Sequence, residues 1–213
     1  MWKSSLAGEF QQLSVISCQM SGVSGGFPGL KIETWGTHVR GETHCSRPAN
    51  YNRLMVLAVL TISDRCSQGV QTDTAGPAVE ALLTSRWPQA EIRRGLLADE
   101  EDAIALKLEE FSRQGVALVA TVGGTGLGPR DRTPEATRRV IDREVSGLAE
   151  AMRARGAERN PYAWLSRGVV GMKDRTLIVN LPGSLRGAEE SLSCILQLLG
   201  HALEVVGGGQ SHP

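Results

Sequence analysis

From residue 54 onward, short apolar runs alternate with amphipathic stretches, and that alternation confines the chain to an α/β fold built on a mainly parallel sheet. The first run, Leu54 to Ile62, is continuous and apolar enough to be a strand buried on both faces. Asp73 and Thr74 then offer N-caps, Pro77 suits a first helical turn, and Val79, Leu82 and Leu83 share one face, which predicts a helix to about Ser85. Ala90 to Leu97 predicts a second strand. Asp99-Glu100-Glu101-Asp102 places acids in the first turn of a helix striped by Ile104, Leu108 and Phe111. Val116 to Val122 predicts the third strand. Thr133-Pro134-Glu135 reads as an N-cap, a proline at the first helical position and an acid facing the positive helix end, with Ala136 and Val140 inward. Ser146 offers a cap for a helix through Met152. Val169 to Met172 and Thr176 to Leu181, joined by Lys173-Asp174-Arg175, predict a hairpin or two adjacent strands. A last helix follows Gly187, with Ala188, Leu192, Ile195, Leu199 and Leu203 on one face.

Composition sets the outer limits. At about 100 to 200 residues per domain, a chain of 213 residues holds one full domain with an appendage, or two small ones. Basic and acidic residues number 23 each, so the net charge is zero and the electrostatic footprint of a nucleic-acid binder is missing. No apolar run approaches the roughly 20 residues that cross a bilayer, and no charged n-region precedes an apolar h-region. The expectation is a cytoplasmic protein with neither nucleic acid nor membrane as partner. Cys18, Cys45, Cys66 and Cys194 are scattered, without a spacing that indicates zinc or a disulfide framework. Before residue 53 charges are sparse, and Ser21-Gly22-Val23-Ser24-Gly25-Gly26 favours loop over packed structure. Residues 1–53 are therefore expected to be a flexible extension, 54–206 the functional domain and 207–213 a flexible tail, with Met55 as an alternative start.

The stretch richest in chemistry is Thr121-Val122-Gly123-Gly124-Thr125-Gly126-Leu127-Gly128-Pro129-Arg130-Asp131-Arg132-Thr133-Pro134-Glu135-Ala136-Thr137. A buried strand runs into glycines whose missing Cβ lets backbone N–H groups approach an anion, and a helix begins a few residues later. It is neither a Walker A loop nor a dinucleotide fingerprint, since no Gly-Lys-Ser/Thr follows and Pro129 replaces the last glycine. A phosphate or nucleotide site and a plain glycine turn both remain open on composition. Ser63-Asp64-Arg65, Asp99, Asp131 and Asn180-Leu181-Pro182-Gly183-Ser184 all fall where strands end, and in open parallel sheets such segments converge on one crevice. Asp64 and Asp99 can cap turns or, as paired carboxylates beside an anion loop, hold Mg²⁺. Asp131 can brace its own turn through Thr133, and Ser184 suits a cap better than a nucleophile. His38, His44, His201 and His212 have no evident triad partners, Cys66 reads as a small loop residue, and Trp87 and Trp164 read as packing residues.

Leu60-Thr61-Ile62-Ser63-Asp64, the glycine stretch, Leu165-Ser166-Arg167 and Asn180 to Ser184, in that order, resemble the molybdenum-cofactor biosynthesis family that includes molybdopterin adenylyltransferase and the amino-terminal domain of gephyrin. The resemblance covers Val56 to about Val206. It implies a three-layer α/β/α fold, a homotrimer, and Mg²⁺-dependent transfer of AMP from ATP to the phosphate of molybdopterin for a molybdate-inserting partner. It places the two essential acids on Asp99 and Asp131, both also as Mg²⁺ ligands. Ser63, Asp64, Gly123, Gly124, Thr125, Gly126, Thr133, Ser166, Pro182, Gly183 and Ser184 match positions around pterin and phosphate, and Arg167 is expected to offset negative charge. Ala98 stands where the family usually has proline. The alternative within the resemblance is a non-catalytic molybdopterin-binding or scaffold domain.

Overall fold

The computed structural model describes residues 55–208. The expected extension over 1–53 and the end of the tail lie outside them, as do His38, His44, His212, Cys18 and Cys45. Strand β1, Val56–Ile62, is followed by a single helical turn α1, Asp64–Ser67, and by α2, Ala75–Arg86. Then come β2, Glu91–Leu97; α3, Glu101–Arg113; β3, Leu118–Val122; and α4, Thr133–Val140. A two-residue strand β4, Arg143–Glu144, leads into α5, Ser146–Ala157, and a 3₁₀ turn, Pro161–Leu165. The hairpin of β5, Val170–Lys173, and β6, Thr176–Leu181, precedes α6, Leu185–Val206.

The six strands form one sheet in the order β2-β1-β3-β6-β5-β4. The first four run parallel, while β6–β5 and β5–β4 are antiparallel, so the mainly parallel sheet expected from the alternating pattern is present. Its central strands are apolar along their length because both faces are covered: β3 and β6 are buried at every residue. One face packs Val79 and Leu83 of α2, Met152 of α5 and Leu192, Ile195 and Leu199 of α6 against Leu57, Val59 and Val179. The other packs Ile104, Leu108 and Phe111 of α3 and Ala136 and Val140 of α4 against Ala58, Leu60 and Ile178. The result is the three-layer α/β/α arrangement.

Several local expectations are corrected. Thr133 is the first residue of α4 and does not cap it; Arg132 flanks the helix, and the Thr133 hydroxyl donates instead to the Gly123 carbonyl at 2.9 Å. Ser146 likewise lies inside α5, behind Val145, and makes no cap bond. Asp73, by contrast, accepts the Gly76 N–H at 2.8 Å, as a cap for α2 should. Helix α6 starts two residues before Gly187, because Ser184 supplies its cap by accepting the Gly187 N–H. Trp164, expected to pack, is 59% exposed on the 3₁₀ turn. Trp87 does pack against the core.

Candidate active site

Parallel register brings the strand ends level. Ile62 pairs with Leu97, Thr61 with Val122, and Val122 with Leu181, so the loops after β1, β2, β3 and β6 leave the sheet at one edge. Backbone bonds tie these exits together: Ser63 N–H donates to Leu97 at 2.9 Å and Gly123 N–H to Leu181 at 3.1 Å. Asp64 and Asp99, 35 residues apart, cap each other. The Asp64 N–H donates to Asp99 Oδ2 at 2.8 Å and the Asp99 N–H to Asp64 Oδ1 at 3.0 Å. The turn-cap role considered for these acids is therefore realised, each carboxylate capping the other's loop.

The glycines make room for this cluster. Gly123 and Gly124 have φ of 109° and 63°, where side chains are strained. A Cβ on Gly124 would stand 2.3 Å from Thr133 Oγ1 and 2.9 Å from Asp99 Oδ1, and one on Gly126 would stand 2.9 Å from Asp131 Oδ2. Gly124→Ala is expected to lower stability by about 1–3 kcal/mol through backbone strain alone, and denaturant unfolding measures it. Among the described residues the N–H groups of Gly124, Thr125, Gly126 and Leu127 donate to no acceptor. Consecutive uncommitted N–H groups at the end of a buried strand are the donors from which an anion cradle can be built.

The acids differ in how fully they are engaged. Both oxygens of Asp64 are taken: Arg130 Nε and Nη2 reach them at 3.0 and 3.1 Å, while Nη2 also donates to Glu100 at 2.7 Å. The Arg130 hydrogen bonds hold the Asp64 carboxyl below its usual range. Asp131 Oδ2 accepts the Gly128 N–H at 2.7 Å, so Asp131 braces its turn through Gly128 rather than through Thr133. Oδ1 of Asp99 and Oδ1 of Asp131 accept no hydrogen bond among the described residues. Burial pushes the Asp99 carboxyl up, and the charges of Asp64 and Asp131 add to that rise. Magnesium commonly takes one or two carboxylates and fills its remaining positions with water and substrate phosphate. Two half-free carboxylates beside the glycine loop fit that donor set, although among the described residues no group of three or more His, Cys, Asp or Glu is placed to hold a metal ion.

The other expected residues divide between the cradle and its supports. Ser63 Oγ accepts the Cys66 N–H at 3.2 Å and caps α1, and Ser184 caps α6. Thr125 is buried, and its carbonyl accepts the Arg167 N–H at 2.9 Å. Ser166 and Pro182 line one small cleft together with Gly168 and Asn180. Gly183 approaches Gly123 so closely that a Cβ there would lie 3.2 Å from the Gly123 Cα. Arg167, expected to face an anion, directs its guanidinium to the carbonyls of Gly126 and Asp131, at 2.7 and 2.6 Å, and to Glu135. The sequence motifs include Arg130 and Asn180 but give neither a role: Arg130 clamps two acids on loops distant in sequence, and Asn180 centres a buried network. Asn180 Nδ2 donates to the Thr121 and Thr137 hydroxyls at 2.9 Å each, and its Oδ1 accepts the Val169 N–H at 3.1 Å. A lone polar residue inside the apolar run of β6 was the available sign of it.

An open α/β sheet with a glycine loop and acids beyond its strand ends defines an α/β domain whose candidate site lies at the carboxyl edge of the sheet, where open parallel sheets bind their ligands. The chain belongs to the family described as the probable molybdopterin binding domain, which matches residues 58–201. It is 37% identical over 154 residues to the molybdenum cofactor synthesis protein cinnamon of Drosophila melanogaster, covering 72% of this chain and 26% of that protein. The chain thus spans about a quarter of that relative's length. With the molybdopterin adenylyltransferase of Helicobacter pylori strain J99 it shares 34% identity over 154 residues, 71% of this chain and 88% of that protein. The crystal structure of the molybdopterin biosynthesis enzyme MoaB from Thermus thermophilus matches with a TM-score of 0.68 and 47% identity, over 73% of this chain and 98% of that one.

Proposed function

We propose that this chain transfers an adenylyl group from ATP to the terminal phosphate of molybdopterin, giving adenylyl-molybdopterin and pyrophosphate. The observation that carries the reading is the convergence of Asp99 and Asp131 on one glycine loop in which the N–H groups of Gly124 to Leu127 donate to no acceptor among the described residues. A phosphate oxygen of the pterin is already anionic, so its attack on the α-phosphorus of ATP needs no side chain to take a proton. A P–O bond forms, and the bond to pyrophosphate breaks. What the protein must supply is alignment and compensation of charge. The N–H groups of Gly124 to Leu127 orient phosphate, while Ser63, Asp64, Thr133, Ser166, Pro182, Gly183 and Ser184 shape the surrounding crevice. Asp99 and Asp131 would hold Mg²⁺, which when bound offsets the repulsion between the two phosphate groups.

The finer reading follows the family resemblance: a cytoplasmic homotrimer that passes its product to a molybdate-inserting enzyme. The deciding experiment incubates purified protein with molybdopterin, ATP and Mg²⁺ and follows pyrophosphate. Release that depends on the pterin is the expected result. Binding of the pterin without release would establish the non-catalytic scaffold in its place.

A further inference from the structure

We propose that Arg167 is a positioning residue that sets the shape of the loop from Thr125 to Asp131, an inference that rests on the adenylyl-transfer reading. Arg167 lies just beyond the 3₁₀ turn, far in sequence from the loop it holds. Its backbone N–H donates to Thr125 at 2.9 Å. Its guanidinium donates to the Gly126 carbonyl through Nε at 2.7 Å and to the Asp131 carbonyl through Nη2 at 2.6 Å. The remaining arm, Nη1, pairs with Glu135 in the first turn of α4. One planar fork therefore grips both ends of the segment that carries the uncommitted N–H groups and the Asp131 carboxylate.

The environment explains why this grip holds. The Arg167 and Glu135 side chains are 32% and 30% exposed, so solvent screens their attraction less than it would at an open surface. Burial works against the Glu135 charge, but its own backbone N–H and Arg167 outweigh it and keep the carboxyl below its usual range. Its Oε2 is buried and accepts no hydrogen bond among the described residues, so Arg167 is the one side chain there that hydrogen-bonds Glu135. With two arms on carbonyls and its charge matched by Glu135, Arg167 acts on the phosphate site through the loop rather than by touching the ligand. Lysine carries the same charge but concentrates it on one ammonium and cannot reproduce the three-way fork.

The test compares the full chain with Arg167→Lys, Glu135→Gln and the double variant. It records turnover, molybdopterin affinity by calorimetry and amide hydrogen exchange. Each single variant is expected to lose about 10- to 100-fold in turnover through loop misplacement, with pterin Kd changed by less than about threefold. The double variant should lose no more than the worse single, because the two residues form one coupled unit. Exchange at the hydrogen-bonded amides of Gly128, Asp131 and Arg167 should quicken in both single variants, which reads the loop independently of catalysis. A pterin Kd raised about tenfold in Arg167→Lys, with loop exchange unchanged and Glu135→Gln silent, would overturn the proposal and place Arg167 on the ligand. An inactive wild-type chain would count against adenylyl transfer, while the exchange rates would still decide whether Arg167 holds the loop.

Discussion

Asp99→Asn is expected to cut turnover by orders of magnitude while leaving the protein at least as stable at neutral pH. Asparagine keeps an acceptor for the Asp64 N–H, so the cross-loop cap survives. It removes a partly buried charge that faces Asp64 and Asp131. The sign follows from linkage: a carboxyl raised above 3.8 in the folded state keeps its proton after the unfolded chain has released one. Across that interval stability falls as pH rises, and the deficit persists at neutral pH; the substitution lifts it. Asp64 behaves in the opposite sense. Its lowered carboxyl contributes stability above 3.8 that is lost as pH falls through its folded value. Turnover in Asp99→Asn should drop on the order of 10² to 10³-fold, the scale of losing a group that stabilises transition-state charge. Pyrophosphate release and thermal melting at pH 7 check both halves, and a melting point several degrees lower would contradict the electrostatic account.

Asn180→Leu should give the largest loss of stability. Asn180 is 1% exposed, and Thr121 and Thr137 are fully buried. Leucine would strand the Val169 N–H and take a partner from each hydroxyl. An unsatisfied buried group costs about 1–3 kcal/mol. With the Val169 N–H stranded outright and two hydroxyls deprived, the sum is about 3 kcal/mol or more. At about 2–4 °C per kcal/mol for a chain of this size, melting should fall by roughly 6–12 °C. The network also joins β6 to α4, the helix that follows the glycine loop, so the loss should appear without any ligand present. Differential scanning calorimetry of the two proteins measures it directly.

The contrast between Asn180 and Asp99 shows which parts of this molecule a sequence displays. Apolar stripes marked α2, α3 and α6, and apolar runs marked β1, β3 and β6, because burial on two faces leaves runs such as Leu54 to Ile62 that few other structures accept. The crevice was legible for a topological reason: Asp64, Asp99, Gly123 and Pro182 each follow a strand, and parallel strands deliver their ends to one edge. Helix starts were less legible. Thr133 and Ser146 are good capping residues by type, yet each lies one position too far along, where its hydroxyl is free for other work. The two-residue β4 and the 3₁₀ turn are too short to leave any period. Pairings across long separations were hidden altogether, since nothing local to Arg167 names Gly126 and nothing local to Arg130 names Asp64.

Diffraction from crystals soaked with Mn²⁺ and ATP, phased for the anomalous scattering of manganese, addresses the site most directly, because Mn²⁺ accepts the same oxygen ligands as Mg²⁺. The expected result is an ion held by the carboxylates of both Asp99 and Asp131, with phosphate bound at the N–H groups of Gly124 to Leu127. Manganese bound elsewhere, or held by one of these acids with the other turned away, would contradict it.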